Sequence, residues 1–131
     1  WIDTPFHLNA AVRGAGCDCY GLVRGLWAET GGWVLPPPPL LVSIDPLELA
    51  RKTPLFLEHL GLYTRPASGV EPGDVLLFGE GEGLAHAGVL LEGGLFAHAL
   101  SDAPGAGVRA SRFSPAWQSR LRQARRFLAP G

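Results

Sequence analysis

Residues 14–27 read GAGCDCYGLVRGLW, in which two cysteines stand between a small-residue loop and a run of regularly spaced apolar side chains. The glycines and alanine at the start predict a loop. Beyond the cysteines, apolar side chains recur at the spacing of one helix face, at Leu22, Val23, Leu26 and Trp27. The pattern predicts a helix that begins near Cys19 and stops at Gly31-Gly32.

The position of Cys19 at the start of this helix favours chemistry at its sulfur. A thiol attacks a carbonyl carbon as the thiolate, and the N–H groups and positive dipole end of a helix N-terminus favour that anion. The same N–H groups can donate to a developing oxyanion. Cys17 lies outside the helix and is expected to be a small buried hydrophobe. A disulfide between two residues so close in sequence would be strained and is not expected.

A second helical signal follows a proline-rich connector. Pro36–Pro39 predict an extended, polyproline-like segment. Asp45-Pro46 is typical of a helix N-cap followed by proline at the first helical position. We therefore expect a second helix over residues 46–60 that ends at Gly61.

From Glu71 onward the pattern changes to short apolar runs separated by glycine-rich turns. Five runs predict consecutive antiparallel strands, at Val75–Phe78, Ala87–Leu91, Leu95–Leu100, Val108–Phe113 and Ala124–Leu128. Helices followed by strands predict an α+β fold in which N-terminal helices pack on a C-terminal antiparallel β-sheet. A length of 131 residues fits one domain, residues 1–131.

The composition limits the possible functions. Apolar residues make up 47% of the chain and charged residues 18%, as in ordinary globular proteins. The formal net charge of −1 gives no reason to expect nucleic acid or an anionic membrane as a partner. Every apolar stretch is interrupted before the ~20 residues that a membrane span needs. No secretory leader is visible, and the absence of methionine indicates that these residues do not begin at a translation start.

Two histidines lie in neighbouring predicted strands. His86 begins one strand and His98 lies in the next, across Gly93-Gly94, which signals a two-residue hairpin loop. That loop predicts strand pairs whose residue numbers sum to about 187, with the two histidines within about 7 Å along the strands. A small shift decides whether they share a face. If both histidines lie on one face, His86 would take the proton from the thiol and protonate the leaving amine. His98 would then fix the tautomer of His86.

Four motifs resemble those of the NlpC family, papain-like cysteine endopeptidases of the bacterial cell wall. Asp18–Val23 matches the nucleophile motif Asp-Cys-Ser-Gly-Leu-Val, except that Tyr20 replaces Ser. Glu71–Val75 is similar to the family's Pro-Gly-Asp strand entry. His86–Val89 is similar to its His-Val-Gly-Ile strand, and Phe96–Ala99 to the strand that carries the third polar residue. The motifs follow the family's order and cover most of the chain from residue 4 onward.

The resemblance implies a papain-like fold and a peptidoglycan endopeptidase that needs no cofactor. Cys19 would be the nucleophile, His86 its base and His98 the third catalytic residue. Members of the family cut the bond between γ-D-glutamate and a diamino acid, usually meso-diaminopimelate. The implied substrate is therefore a peptidoglycan stem peptide.

A narrower resemblance is to the cell-wall peptidases of phage tails and gene transfer agents. It is carried by Thr4–His7, Gly14–Cys19 and Leu22–Trp27. This branch implies a place in the tail of a phage-like particle, with tail or baseplate proteins as partners. The chain would then open the wall locally, in the periplasm or cell wall, during particle entry or genome delivery.

Three residues are candidates for substrate binding. The family often has Tyr where Phe6 stands, and that hydroxyl is thought to hold the substrate or oxyanion; Phe6 cannot donate a hydrogen bond. Tyr20 adds bulk beside the nucleophile. Asp18 would bind a free amine of the substrate, as its counterpart does in some relatives, or would cap the helix.

Two alternatives to an enzyme stay open. The departures at Phe6 and Tyr20 are compatible with a structural tail component that keeps the fold without turnover. The residue types that bind Zn²⁺ are also present, in Cys17, Cys19, His86 and His98. Their spacing is not that of structural zinc sites, so we expect no metal.

Other polar residues carry no comparable signal. His7 and His59 lie in no motif and are expected to be surface or core residues. The four arginines between residues 120 and 126 could form a basic face for an anionic wall polymer. A solvated strand edge is the expected reading, because charges on an edge strand prevent aggregation.

Overall fold

The computed structural model of the chain describes residues 1–7, 10–31, 35–36, 54, 57–80, 83–100 and 106–128. Helices within these residues are α1 (Cys19–Gly31) and the short α2 (Pro115–Gln118), and residues 57–61 are also helical. The strands are β1 (Ala11–Val12), β2 (Gly16–Cys17), β3 (Thr64–Pro66), β4 (Val75–Glu80), β5 (Gly83–Leu90), β6 (Leu95–Leu100), β7 (Gly107–Arg112) and β8 (Leu121–Phe127).

The helix predicted from Cys19 is confirmed as α1, which begins and ends where the sequence indicates. Of the second predicted helix, residues 46–60, the described residues 54 and 57–60 are helical. The rest of that helix, like residues 37–39 of the proline segment, lies outside the described residues. None of the helices described is long and apolar enough to cross a membrane.

Six strands form one antiparallel sheet in the order β3-β8-β4-β5-β6-β7, and β1 pairs with β2 in a separate ribbon. The five predicted strands are confirmed as β4 to β8, so the α+β prediction is confirmed. The order holds one departure from a simple meander. The last strand, β8, lies between β3 and β4 instead of at an edge.

Each face of the sheet has its own apolar layer, because neighbouring side chains along a strand point to opposite faces. On one face α1 packs through Val23 onto Val75. On the other, Leu76 and Phe78 pack beneath Trp117 of α2. Strand β4 is therefore buried on both faces, as its unbroken apolar run requires.

The start of α1 is fixed by a side-chain cap and a close backbone approach. The Asp18 carboxylate accepts a hydrogen bond from the Gly21 N–H at 2.6 Å, and the Asp18 N–H donates to the Ala10 carbonyl at 3.2 Å. Asp18 is therefore the N-cap of α1. A Cβ on Gly21 would collide with the Ala10 carbonyl oxygen, so the glycine of the nucleophile motif lets these two segments pack together.

Replacing Gly21 with Ala is expected to lower the free energy of unfolding by about 2 kcal/mol, because the added Cβ must displace backbone. Urea unfolding followed by circular dichroism measures the change. Gly61→Ala is the matched control, since a Cβ there meets no atom within 4 Å. Equal stability of the two variants would contradict the close approach at Gly21.

The Pro-Gly-Asp motif ties the start of β4 to β8. Asp74 is 2% exposed, and its carboxylate accepts hydrogen bonds from Arg126 at 2.9 and 2.8 Å and from the Glu71 N–H at 2.8 Å. Arg125 donates to Thr64 on β3 at 2.7 Å. For Arg125 and Arg126 the expectation of a solvated strand edge is wrong, because β8 lies between β3 and β4 and both side chains bind neighbouring elements.

Candidate active site

The N-terminal segment holds the loop that leads into Cys19. The Cys17 N–H donates to the Pro5 carbonyl at 3.0 Å, and the His7 N–H donates to the Cys17 carbonyl at 2.9 Å. Phe6 forms a β-bridge with Cys17 between these two hydrogen bonds. Strand β2 ends at Cys17, so Cys19 begins α1 directly after a strand that is itself held in place.

The thiol of Cys19 contacts the backbone of β5 where the sheet opens. The ladder between β5 and β6 ends at the pair Gly88 and His98, so Ala87 is not paired with β6. Alternation along the ladder directs the Ala87 N–H toward that open side. This backbone makes a hydrogen bond with the Cys19 thiol. Cys19 therefore lies beside the residue that follows His86.

Burial and the Asp18 carboxylate raise the pKa of Cys19 to about 11. Backbone hydrogen bonds of Ala87, Tyr20 and Cys19 itself oppose that rise, and two of these belong to the helix N-terminus. The net pKa of the thiol is therefore raised, although the helix start favours the thiolate as expected. Its N–H groups act in the expected direction, but desolvation is the larger effect.

The hairpin between β5 and β6 differs from the prediction by one residue. Leu91 bonds to Leu95, and the loop holds three residues, Glu92–Gly94, instead of two. Paired residue numbers therefore sum to 186 rather than 187, as in Gly88 with His98. Because this sum is even, His86 and His98 share one face of the sheet.

The two histidines are joined in a chain of hydrogen bonds. His86 Nε2 lies 2.8 Å from His98 Nδ1, and His98 Nε2 lies 2.8 Å from Ser111 Oγ on β7. His98 is 1% exposed, whereas His86 keeps some exposed surface. Sequence reasoning missed Ser111, which lies in no recognised motif. Only the pairing of β6 with β7 reveals it, because that pairing sets Ser111 beside Phe96 on the face of His98.

Aromatic rings surround the histidine pair. Trp117 of α2 lies 5.8 Å from the His86 ring and 5.1 Å from the His98 ring, centroid to centroid. Phe96 lies 4.3 Å from His98, and Phe78 lies 5.9 Å from His86. The guanidinium of Arg120 stacks on Trp117 at 4.6 Å. The short helix α2 therefore covers the histidine pair with apolar surface.

This surrounding keeps both imidazoles neutral. Burial, the neighbouring His98 and the charge of Arg120 lower the pKa of His86 to about 3. Burial lowers the pKa of His98 to about 4. At pH 7 each ring is therefore neutral and carries one N–H proton. His86 accepts a second proton only when its surroundings favour the imidazolium.

Cys19 and His86 approach the same strand end from different sides. Ala87 belongs to the apolar layer beneath α1, and His86 projects to the opposite face, against Phe78 and Trp117. In the described residues no hydrogen bond joins the thiol to the imidazole. Both groups lie near the end of the β5 and β6 ladder, which closes with the pair Gly88 and His98.

Cys17, which was also considered as a zinc ligand, lies in a different cluster from the two histidines. Cys17 is fully buried with Leu22 and Ala97 beneath α1, and burial together with Asp18 raises its pKa to about 11. This confirms it as a small buried hydrophobe. Among the residues that the structure describes, no group of three or more His, Cys, Asp and Glu has an arrangement that could hold a metal ion.

The three substrate-binding candidates have different surroundings. Asp18 caps α1, as described above. Tyr20 is 4% exposed and packs in the core with Val23 and Leu60, so it offers the substrate almost no surface. Phe6 is half-buried against the cluster that contains Cys17. Substrate contacts by these residues stay predictions.

The two histidines outside the motifs also differ. His7 is exposed, and His59 is buried with its ring edge-on to Tyr20 at 6.1 Å and Tyr63 at 5.4 Å. Burial lowers the pKa of His59, and the charge of Arg24 adds to this. His59 therefore belongs to the core on the α1 side of the sheet and not to the His86 and His98 pair.

Several solved structures share this fold. The NlpC/p60 domain of peptidoglycan hydrolase SagA is 19% identical with a TM-score of 0.55, covering 92% of this chain and 85% of that one. NlpC2 from Trichomonas vaginalis is 16% identical (TM-score 0.59; 95% and 42% covered). RipB from Mycobacterium tuberculosis is 20% identical (TM-score 0.51; 98% and 56% covered). The chain thus spans about half of the latter two proteins, and the likeness shows the papain-like fold.

The family assignment comes from a sequence model. No curated protein matches the chain. The model of the NlpC/P60 family, however, matches residues 3–126, a range that contains the nucleophile motif, the Pro-Gly-Asp turn and both histidine strands. With the fold and the order of the motifs in agreement, the chain belongs to the NlpC/P60 family.

Proposed function

We propose that this chain is a cysteine-type peptidoglycan hydrolase that cuts stem peptides with Cys19 as nucleophile, His86 as base and His98 as the orienting residue. The observation that carries the proposal is the hydrogen-bonded pair His86 and His98, one residue along β5 from the backbone that contacts the Cys19 thiol. SagA and RipB, which share the fold, are both described as peptidoglycan hydrolases.

The proposed reaction passes through a thioester. His86 takes the proton from the Cys19 sulfur at Nδ1, the nitrogen that does not face His98. The thiolate attacks the substrate carbonyl carbon, and the backbone N–H groups at the start of α1 stabilise the oxyanion. The C–N bond then breaks, and the amine leaves with the proton from His86. Water, deprotonated by the same imidazole, hydrolyses the thioester and restores the thiol.

The proposed substrate is the bond between γ-D-glutamate and a diamino acid. The motif resemblance supports this choice of bond. In this proposal Asp18 binds the free amine of the stem peptide in addition to capping α1. A carboxylate beside the nucleophile favours a cationic group at that end of the substrate.

Digestion of purified peptidoglycan tests the function. The protein is incubated with cell walls, and the soluble products are identified by mass spectrometry. We expect stem peptides that end in D-glutamate, together with fragments that carry a newly exposed diamino acid amine. Products cut in the glycan strand or at the amide that joins glycan and peptide, or no products, would overturn the proposal.

We further propose that the chain acts from the tail of a phage-like particle, in the periplasm or cell wall, with tail or baseplate proteins as partners. The likeness of Thr4–His7, Gly14–Cys19 and Leu22–Trp27 to that branch of the family supports this location. Proteomic analysis of purified particles from the source culture tests it. Absence of the chain from intact tails that contain their other components would contradict it.

A second candidate is a structural component with the same fold and no turnover. The observation that favours it is the raised pKa of Cys19, together with the separation of the thiol from the imidazole by the strand. The two candidates differ in their response to substrate. A substrate-like electrophile labels Cys19 rapidly in an enzyme but no faster than a simple alkylating reagent in an inert protein.

A further inference from the structure

Ser111 is the last member of the hydrogen-bond chain that begins at His86. It lies on β7 opposite Phe96, and its hydroxyl meets His98 Nε2 at 2.8 Å. A hydroxyl can donate or accept, and each neutral imidazole carries one N–H. The chain Ser111, His98, His86 can therefore run in either of two directions, and only one of them leaves His86 able to act as a base.

In the productive direction, Ser111 accepts a hydrogen bond. His98 then carries its proton at Nε2, its Nδ1 accepts from the Nε2–H of His86, and Nδ1 of His86 keeps a lone pair. In the reverse direction, Ser111 donates to His98 Nε2. His98 then donates from Nδ1 to His86 Nε2, and the proton of His86 moves to Nδ1, so the base is lost.

Transfer of the thiol proton to His86 requires the same direction of hydrogen bonding. When His86 takes the thiol proton at Nδ1, the S–H bond breaks, an N–H bond forms and both nitrogens of the ring become donors. Its Nε2–H then needs an acceptor, which His98 supplies only if its own proton is on Nε2. That N–H in turn needs an acceptor. Ser111 Oγ lies at hydrogen-bond distance from this nitrogen, and the rings of Phe96 and Trp117 flank the His98 ring.

We infer that Ser111 is a positioning residue, which holds His98 in the Nε2–H tautomer and thereby keeps Nδ1 of His86 available as the base. The effect of Ser111 on catalysis rests on the proposed function, whereas the assignment of the His98 tautomer does not. Removing the hydroxyl leaves the Nε2–H of His98 without this acceptor in a buried place. Transfer of that proton to Nδ1 then lets His98 donate to His86, which is the unproductive direction.

Nitrogen-15 NMR of the histidine rings at pH 7 tests the tautomers directly. In the wild type we expect protons on Nε2 of both His86 and His98. In Ser111→Ala we expect His98 to move to the Nδ1–H tautomer, and Ser111→Thr, which keeps a hydroxyl in a β-strand, to retain the wild-type pattern. Identical tautomers in the wild type and Ser111→Ala would overturn the inference, as would a wild-type His98 protonated on Nδ1.

Turnover of a stem-peptide substrate gives the second readout. We expect Ser111→Ala to lower kcat about 10- to 100-fold with KM unchanged, and Ser111→Thr to stay within about threefold of the wild type. Ser119→Ala is the control, because its exposed hydroxyl donates to the local Ala116 carbonyl. Equal loss in the Ala and Thr variants would contradict positioning. A wild type that cuts no peptidoglycan refutes the proposed function instead, and the NMR result still decides the role of Ser111.

Discussion

Replacing Cys19 with Ala is expected to lower the release of muropeptides at least about a thousandfold, because the sulfur that forms the thioester is gone. The histidine pair stays intact in this variant, but a general base alone has no adjacent nucleophile to activate. The measurement is the initial rate of product release from purified peptidoglycan, followed by mass spectrometry. Thermal unfolding of the variant verifies that its fold is retained.

Cys17→Ala is the matched control for this prediction. Both cysteines have a pKa of about 11 and lie two residues apart, but Cys17 packs in the core beneath α1. We expect its substitution to lower stability slightly and to leave the rate per folded molecule unchanged. Loss of activity only with Cys17→Ala, or equal release by all three proteins, would refute Cys19 as the nucleophile.

The resting Cys19 thiol is expected to react with iodoacetamide about 100-fold more slowly than free cysteine at pH 7. Its pKa of about 11 leaves a far smaller thiolate fraction than the free thiol has at that pH. Because only the thiolate reacts, the rate should rise about tenfold per pH unit until the pH approaches that pKa. Stopped-time alkylation in the Cys17→Ala background, read by peptide mass spectrometry, isolates Cys19.

A chloromethyl ketone built on L-alanyl-γ-D-glutamate separates the two candidate functions. For an enzyme we expect this probe to label Cys19 much faster than iodoacetamide does, because the bound peptide holds its reactive carbon beside the sulfur and His86 takes the thiol proton. His86→Gln should remove that acceleration and leave the slow iodoacetamide rate unchanged. Alkylation by iodoacetamide near pH 6 that exceeds the free-thiol rate would contradict the raised pKa and indicate a thiolate held at the helix start.

The fold followed from local patterns that the tertiary structure did not override. The apolar spacing from Leu22 to Trp27 defined α1, and the glycine-rich turns after Glu71 separated the strands. The strand order did not follow, because no local feature of residues 121–127 indicates insertion between β3 and β4. That position depends on long-range contacts, among them the ion pair of Arg126 with Asp74.

The candidate site was predictable in its residue types and not in its fine geometry. The family motifs named Cys19, His86 and His98, but the face of His98 depended on whether the hairpin loop holds two residues or three. The 3₁₀ turn at Glu92–Gly94 settles that count. Ser111 and Trp117 reach the histidines only through pairing and packing of distant segments, so no spacing in the sequence could reveal them.

The interior position of β8 has a consequence for biosynthesis. A ribosome releases β3 and β4 long before residues 121–127, and the gap between those two strands stays unfilled until β8 emerges. Trp117 and Arg120, which cover the histidines, also emerge late, because they lie just before β8 in the sequence. A nascent chain that already displays Cys19 and both histidines therefore lacks a finished sheet, which would delay the assembly of the candidate site until residues 121–127 have emerged.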